Sequence, residues 1–468
     1  MAQGHRKKER QGTLWVATAS LSDSTAHPFY LQLNEILERH GFDQKVDGLT
    51  APYYQEGGRP GIPVGNYFRM MLVGFFEGIG SERGIAWRVA DSRSPRHFLG
   101  LDLAEETPDH STMSVIRHRL PPEVHEQAFG QVLAILAREG QLKGKTLGID
   151  STTVEANAAR KKLRRKDSKE QYSQFVKRLA REAGEPASTA EEVARFDRKR
   201  PGKKCPNREW EHPCDPDARL GRDKHGATDM LYKMEKTDDL DTGAVVSVTV
   251  RTADTSDLDS LDGTLRKAQR HLSEVRRDGE VARAGRVQAV AEVVADKGYH
   301  SNETCRSAAA LGVRTYFSEM ERPGRRRWAG REEARRAVYA NRRRVRGTRG
   351  QRLRRRRSEI CERNFAHLCD TGGQRRTFLR GLAEVTKKAL IGAMGFNLSL
   401  LLRQVYGLRK PRQLGKARKG HFLFWPFPAG ALGGVWGRWA SFYAILAVFG
   451  PRSANVRERA GRGLPAAA

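Results

Sequence analysis

The stretches that decide the fold are Leu147-Gly148-Ile149-Asp150-Ser151-Thr152 and Val293-Val294-Ala295-Asp296-Lys297-Gly298-Tyr299, which lie far apart in the chain. Each takes an apolar run into an aspartate at the position where a strand is expected to end. A third acid, Glu359 or Glu362, follows in the segment Ser358–His367, whose apolar spacing predicts a helix. Three acids from two strands and one helix could therefore converge on a carboxylate metal site.

Such a site predicts a particular chemistry. Hard cations such as Mg²⁺, with Mn²⁺ as a possible substitute, take oxygen ligands and are usually held by one or two carboxylates together with substrate phosphates. Two such ions about 3.5–4 Å apart stabilise the attacking and leaving oxygens of a phosphoryl displacement. The acids therefore predict the cutting and joining of DNA strands. The alternative for any single aspartate at a strand end is a turn or cap residue.

The charge of the chain predicts a polyanionic partner. The sequence has 85 Lys and Arg against 55 Asp and Glu, a formal net charge of +30 and a pI near 10.3. The densest segment, residues 322–357, has 17 Arg, no Lys, and only Glu332 and Glu333 as acids. Arginine forks suit phosphate oxygens. Nucleic acid is the expected partner, and a ribosome-like or merely basic protein is the alternative.

Cysteine usage and the terminal segments predict a cytoplasmic, nucleoid-associated protein. The five cysteines form no C-x-x-C pair, and their odd number argues against a disulfide framework. The N-terminal Met1–Arg10 lacks the apolar core of a secretory signal. The apolar segment Phe422–Gly450 is interrupted by prolines, glycines and Arg438, which predicts a peripheral tail and no stable membrane association, with a membrane helix as the alternative.

The N-terminal third is expected to be helical. After a basic arm (1–22), apolar residues recur at three- and four-residue intervals through residues 23–140. Between Ser81 and Leu120, two short helices around a turn, the second capped by Asp109, would make a helix-turn-helix-like reader of DNA. Its DNA-contacting residues would include Arg117 and Arg119. A structural helical bundle with a basic outer face accounts for the same pattern.

Residues 141–408 are expected to form an α/β catalytic domain. The predicted elements are a strand at residues 145–151, a hairpin of 230–236 with 244–250, a helix at 257–275, a strand at 287–295 and another short strand at 312–317, and we interpret the order of the core as strand, hairpin, helix, strand, helix. This order fits an RNase H-like core, although periodicity does not separate it from other α/β sheets. A polar insertion at about 158–229 is expected to pack loosely over the site or to grip DNA, and residues 409–468 form a basic and apolar tail.

These motifs together resemble the insertion-sequence transposases of the DDE superfamily, in the eleven-eighty-two-like group, which has a helical N-terminal domain before an RNase H-like core. The likeness runs from Pro28 to Arg412. It is carried by Thr107–Thr112, Gly148–Thr152, His212–Arg219, Ala295–Tyr299, and Glu362–His367 followed by Thr371-Gly372-Gly373. Several motifs in the right order make the resemblance specific.

The resemblance assigns the triad residue by residue. Asp150 and Asp296 match its two aspartates, and Glu362 best matches its glutamate because it precedes an Arg-x-Phe segment; Glu359 is the runner-up. The superfamily often has an arginine four residues before this glutamate and a lysine seven after it, where this chain has Ser358 and Cys369. The phosphate-gripping role could then fall to Arg357, Arg363 or Arg375. Lys297 and Tyr299 could contact phosphate or order the turn after Asp296. Arg342, Arg343 and Arg344 of the arginine-rich segment are also expected to contact DNA.

The resemblance implies an activity and partners. A transposase of this kind cuts the terminal inverted repeats of its element and joins them to target DNA by two-metal-ion phosphoryl transfer, with two protomers acting together on paired ends. An RNase H-fold nuclease that cuts without joining is one alternative. A decayed or domesticated copy that binds DNA without cutting it is the other.

Overall fold

A computed structural model of the chain describes residues 26–55, 57, 61–102, 105–201, 205–223, 226–321 and 328–411. The basic arm 1–22, the start of the arginine-rich segment, the apolar stretch Phe422–Gly450 and nearly all of the predicted tail therefore lie outside the described residues.

The helices predicted for the N-terminal third are present. They are α1 (Pro28–Arg39), α2 (Phe42–Thr50), α3 (Val64–Glu77), α4 (Glu82–Ala90), α5 (Arg93–Phe98), α6 (His110–Arg119) and α7 (Pro122–Arg138). Helix α3 is apolar almost all round and is buried along nearly its whole length, so it forms the centre of this bundle. Asp109 caps α6 as expected, because its carboxylate accepts a 2.8 Å hydrogen bond from the Thr112 amide.

The remaining chain builds a mixed sheet with helices, in agreement with the predicted α/β class. Its elements are β1 (Thr146–Glu155), β2 (Arg164–Arg165), α8 (Tyr172–Glu182), α9 (Ala190–Lys199), β3 (Trp210–Glu211), β4 (Arg219–Arg222), β5 (Thr228–Asp239), β6 (Val245–Thr252), α10 (Asp257–Arg276), α11 (Gly279–Ala284), β7 (Glu292–Ala295), α12 (Asn302–Ala310), β8 (Arg314–Phe317), α13 (Glu332–Arg346), α14 (Thr348–Ala366) and α15 (Leu382–Val405). A π-helical turn, His367–Thr371, follows α14.

The main sheet has the spatial order β6-β5-β1-β7-β8. Strand β5 runs antiparallel to both β1 and β6, whereas β1, β7 and β8 are mutually parallel. The short strand β4 continues the outer edge of β5 beyond β6. The last part of the predicted insertion therefore belongs to the sheet. Earlier in the insertion, Tyr172 and Phe175 of α8 pack on Trp210 of β3.

One predicted strand end was wrong. Asp150 does not end β1; it is the fifth of that strand's 10 residues. The cause lies in the two neighbours of β1. Its parallel pairing with β7 stops at Gly148, but its antiparallel pairing with β5 continues to Glu155 and keeps the backbone extended. The opposite error occurs in β7, which begins only at Glu292 and is shorter than the predicted 287–295.

The two faces of the sheet are covered by different helices. Glu235 of β5 points to α10, where Ser260 and Thr264 donate hydrogen bonds of 3.0 and 2.7 Å to its carboxylate. Its neighbour Lys236 points to the other face of the sheet, as do Gly148 and Asp150 of β1. Helix α14 covers this face. The side chains of Asp150 and of α14 therefore meet on one face.

The last helix ties the sheet to the N-terminal bundle. Helix α15 packs against β6, α7 and α3, and the Asn397 side chain exchanges two 2.8 Å hydrogen bonds with the Val245 backbone. By length and composition α15 could cross a membrane, but 83% of its apolar window is buried inside the protein, which is typical of a core helix.

Candidate active site

The two predicted aspartates follow the last paired residues of neighbouring parallel strands. The β1–β7 register pairs Thr146 with Glu292 and Gly148 with Val294, where the pairing stops. Asp150 and Asp296 each come two residues after that last pair. Parallel strands lie about 4.8 Å apart, so both aspartates leave the parallel ladder at the same end.

Asp150 is held by an arginine of α14. The Arg357 Nη2 lies 2.9 Å from Asp150 Oδ1, and the same guanidinium donates to the Ile149 carbonyl at 3.3 Å. The Ser151 amide also donates to the carboxylate at 2.9 Å. Burial raises the pKa of Asp150, and the positive charges of Arg357 and Lys236 oppose that rise. In this arrangement one oxygen of the carboxylate is occupied by a guanidinium.

Asp296 is exposed and borders a cationic cavity. It caps the short 3-10 helix Lys297–Tyr299 by accepting a 2.7 Å hydrogen bond from the Lys297 amide. The cavity beside it has a volume of about 470 Å³, and its wall includes Arg354, Arg355, Arg357 and Ser358 of α14. A carboxylate and three guanidinium groups therefore share one open space. The guanidinium groups could bind a phosphate there, and the carboxylate could hold a cation beside it.

The two candidate glutamates differ in their position on α14. Glu362 accepts a 2.6 Å hydrogen bond from Ser358, one turn earlier on the face that lines the cavity. Glu359 is bound by Arg363 at 2.8 Å and is turned about 60° further from that face, since successive helical residues rotate by about 100°. Helix geometry therefore favours Glu362, in line with the resemblance.

A glycine allows α14 to lie close to β1. A Cβ on Gly148 would lie 2.7 Å from the Leu240 side chain, 3.2 Å from Cys361 Sγ and 3.3 Å from Arg357 Cγ. A side chain at this position would have to displace the end of the Leu240 side chain and push the Cys361 and Arg357 side chains of α14 away by a few tenths of an ångström. Gly148 therefore sets the spacing between the two halves of the candidate site.

A buried charged network adjoins Asp150 and was missed in the sequence. Lys236, directly opposite Asp150 in the β1–β5 register, is fully buried and forms an ion pair with Asp238. Its ammonium also lies 4.1 Å from the centroid of the Phe365 ring. Asn364 donates to Asp238 at 3.0 Å. Lys236 and Asp238 are two residues apart on β5, so both side chains point to the face that α14 covers. Buried positions are usually apolar, so nothing in the sequence indicated a charged pair there.

The residues fit a divalent metal in kind but not in the arrangement described. Asp150, Asp296 and Glu362 offer carboxylate oxygens, the ligands that such ions prefer. In the described ranges, however, no three His, Cys, Asp or Glu side chains lie close enough together to hold a metal ion. Arg357 takes the Asp150 oxygen, so a metal would require this guanidinium to move.

The residues predicted to contact DNA fall into two groups. Lys297 and Arg343 are exposed, and neither side chain has a hydrogen bond or ion pair within the described chain. The others have protein partners: Arg342 binds Glu319, Arg344 binds the Thr315 carbonyl, Arg363 binds Glu359, Arg119 lies over the Tyr54 ring, and the Tyr299 ring is buried. Lys297 and Arg343 are the better placed for phosphate.

The placement of Arg117 argues against a DNA contact. Its side chain is buried, and its guanidinium is bound by Glu82 of α4 and Glu384 of α15. The α6 arginine therefore joins the N-terminal bundle to the last helix. The sequence suggested a DNA reader because a basic run ended a short helix, and the two distant acids that neutralise it could not be identified without the fold.

Two arginines of the cavity, Arg354 and Arg355, were not singled out in the sequence. Both are exposed and lack side-chain partners within the described residues. A signal was present: Gln351, Arg355, Ser358 and Glu362 recur at intervals of four, three and four residues, the spacing of one helix face. The density of arginine in this segment obscured that spacing.

Comparison with known families supports the resemblance. Residues 20–119 match a family model described as "Transposase domain (DUF772)", and residues 316–402 match one described as "Transposase DDE domain". Both matches support an insertion-sequence DDE transposase. No curated protein and no solved structure matches it.

The two matches bear differently on the candidate site. The first covers α1 to α6 of this transposase, and the second covers β8, α13, α14 and most of α15. The second domain is of a kind that belongs to DNA-cleaving enzymes with divalent metal ions, and it includes both Glu359 and Glu362. Asp150 and Asp296 lie outside both matched segments, so their assignment rests on register and on the motifs around them.

Proposed function

We propose that this transposase cuts the ends of its insertion sequence and joins them to target DNA with Asp150, Asp296 and Glu362 as its acids. One observation supports the proposal: the last β1–β7 pair stands two residues before each aspartate, and the arginines of α14, the helix that carries Glu362, line the cavity beside Asp296. Three acids and a group of cations on one side of a sheet suit a phosphodiester held next to divalent metal.

The sheet supports an RNase H-like core for this proposal. Its order, β6-β5-β1-β7-β8, has β5 as the antiparallel member. An RNase H-like core places its first acid on the central strand and its second on the neighbouring parallel strand, where Asp150 and Asp296 lie. The core is proposed to extend over residues 141–408, after a helical domain at 23–140, as in the eleven-eighty-two-like group.

The side chains have separate roles in the proposed reaction. Mg²⁺, or Mn²⁺ in its place, would supply a Lewis acid that activates water and stabilises the leaving oxygen. Arg354 and Arg355 would bind nonbridging oxygens of the scissile phosphate from the cavity wall. Arg357 would leave Asp150 and transfer its hydrogen bonds to the same phosphate, so that substrate entry frees the carboxylate. Lys297 and Arg343 would hold flanking backbone.

The partners follow from the proposed reaction. The substrate is double-stranded DNA, first at the terminal inverted repeats and then at the target, and a homodimer assembled on paired ends would carry out both steps. The protein would act in the cytoplasm, on the nucleoid.

A second candidate function is DNA binding without cleavage. The observation that favours it is the Arg357–Asp150 ion pair, together with the lack of a three-ligand group in the described part of the chain. A copy in which this pair is permanent would bind DNA and leave it intact.

Mg²⁺-dependent cleavage of a duplex carrying the gene's flanking repeat separates the two functions. The proposal predicts cutting and strand joining by the wild type, loss of both in Asp150→Ala, Asp296→Ala and Glu362→Ala, and retention in Glu359→Ala. A folded wild type that binds the duplex but never cuts it would establish the second function.

A further inference from the structure

A small cationic cavity lies where the ends of α14 and α15 meet. Its wall includes His367, at the start of the π-helical turn, Arg403 near the end of α15, and Arg409 and Lys410 just beyond it. Single π-turns in helices occur frequently at functional sites. None of these four residues belongs to the site around Asp150 and Asp296.

The cations of this cavity lack acidic partners. Lys410 is only 7% exposed, and its ammonium has no hydrogen-bond partner; it lies 3.8 Å from the centroid of the Phe75 ring. Arg403 and Arg409 form no ion pair within the described residues. The adjacent Arg363 is paired with Glu359, but no carboxylate there pairs with the four cavity residues. Lys410 is the buried charge of this cluster, whereas Arg403 and Arg409 are exposed. Buried charges are normally paired, so an external anion held by the exposed arginines would complete the cluster.

The pKa shifts of Lys410 and His367 agree with a site that binds an anion. Burial and the charge of Arg403 lower the pKa of Lys410 to about 7. Burial likewise lowers the pKa of His367, and the charges of Arg403, Lys410 and Arg363 add to that effect. Like charges are therefore held together at a cost that a bound anion would relieve.

The cavity lies beyond the candidate active site along α14 and on the opposite side of that helix. Arg356 of α14 and Gln404 of α15 both donate 3.2 Å hydrogen bonds to the β5–β6 turn, at Asp241 and Thr242. Along the helix axis, Ser358 and His367 are separated by about 14 Å, at 1.5 Å per residue, and nine residues at about 100° each turn them to opposite sides. The axial distance corresponds to about four base-pair steps of DNA at 3.4 Å each, so DNA that reaches both would cross over α14.

We propose that His367, Arg403, Arg409 and Lys410 bind one phosphate group of the DNA backbone, a few steps from the phosphate that is cut. The proposal rests on the proposed function, since it assumes that DNA crosses over α14. Free inorganic phosphate offers the same chemistry, so the test must separate the two sources.

The test is the salt dependence of duplex DNA binding, followed by fluorescence anisotropy with the full chain. Each phosphate contact contributes about 0.9 to the slope of log K against log salt concentration. Lys410→Met and Arg403→Gln are each expected to reduce that slope by about 1 and to weaken binding several-fold. Arg276→Gln, which removes an exposed charge from α10 on the opposite side of the sheet, should leave the slope unchanged. Circular dichroism verifies folding, and the exposed Arg403 serves if Lys410→Met does not fold.

The other outcomes are distinct. Wild-type slopes in both variants would overturn the proposal. If inorganic phosphate raises the melting temperature of the wild type but not of Lys410→Met, while the DNA slopes stay equal, the site binds a free anion and the DNA assignment is wrong. A wild type that binds no duplex would instead contradict the proposed function itself.

Discussion

A single guanidinium decides the state of the candidate site. Arg357 joins the Ile149 carbonyl and the Asp150 carboxylate, so it occupies the side of Asp150 where a cation would bind. Its positive charge stabilises the ionised carboxylate against the burial that raises the pKa of Asp150. Arg357 thus acts as a substitute cation in the absence of metal and DNA.

Removal of this guanidinium should improve metal binding by the DNA-free protein. Arg357→Gln frees the Asp150 oxygen, and we expect the Kd for Mn²⁺, measured by isothermal titration calorimetry, to fall by about 5- to 10-fold, or roughly 1–1.4 kcal/mol. Arg352→Gln is the matched control, because Arg352 is exposed on the same helix and has no partner among the described residues. Equal affinity in Arg357→Gln and wild type would show that Arg357 does not compete with metal.

Individual residues were predicted with uneven success. The motif around each aspartate made Asp150 and Asp296 candidates, because an acid that follows an apolar strand is a local pattern. Arg117 and Asp150 show the limit of such patterns. Glu384, which binds Arg117, and Arg357, which binds Asp150, each lie more than two hundred residues away in the chain.

At the scale of elements, the crossing of α14 over β1 forms the site. Gly148→Ala would bring a methyl group to 2.7 Å from Leu240 and 3.2 Å from Cys361 Sγ. We expect a loss of about 1–3 kcal/mol in the free energy of unfolding, and a larger relative loss of DNA cleavage because the Cys361 and Arg357 side chains of α14 must give way. Gly130→Ala in α7 is the control: a Cβ there meets nothing within 4 Å, so a small gain in stability is expected. Urea unfolding of both variants tests this, and a neutral Gly148→Ala would contradict the proposed spacing.

A buried carboxylate fixes the other end of α14 to the sheet. Glu292 of β7 accepts hydrogen bonds from Arg349 of α14, from Thr146 and from Tyr316. Burial raises its pKa, but these donors and the charge of Arg349 outweigh burial and lower the pKa to about 2. Because the pKa of Glu292 is lower in the folded protein, its ionised carboxylate stabilises the fold at pH values above its pKa in the unfolded chain, about 4.3. That stabilisation is lost as the pH falls toward 2.

Glu292→Gln should therefore destabilise the protein by about 3 kcal/mol at pH 7, and the difference from wild type should shrink as the pH is lowered from 5 to 3. Glu303→Gln, which removes an exposed partner of Arg306, is expected to change little at either pH. Chemical unfolding at several pH values measures both. A difference for Glu292→Gln that does not depend on pH would exclude the ionised carboxylate as the cause.

Elements were easier to predict than their ends. The β5–β6 hairpin and α10 were located because alternating and helical patterns are local. The length of β1 was not, since its extension beyond Asp150 depends on pairing with β5, and β7 is short because only Glu292–Ala295 pairs with neighbours. The cavity face of α14 required knowledge of which side of the helix meets the sheet.

At the scale of the whole molecule, the two segments that match transposase families pack against each other. Helix α15, mostly within the second segment, contacts α3 within the first, and the Lys387 ammonium donates to the Arg117 carbonyl at 2.8 Å. The net charge of +30 belongs to the whole chain. The composition predicted a nucleic-acid partner, whereas the path of the DNA on the protein depends on which arginines have no acidic side chain as a partner.

If Asp296 binds a divalent metal used in DNA cleavage, Asp296→Cys should change the metal preference of that cleavage. Asp296 is exposed, so the substitution should not disturb folding. A thiolate is a poor ligand for Mg²⁺ and a better one for Mn²⁺. We expect cleavage of the flanking-repeat duplex to be lost in Mg²⁺ and largely recovered in Mn²⁺, with wild type active in both. Equal loss in the two metals, or full activity in Mg²⁺, would contradict a metal-binding role for Asp296.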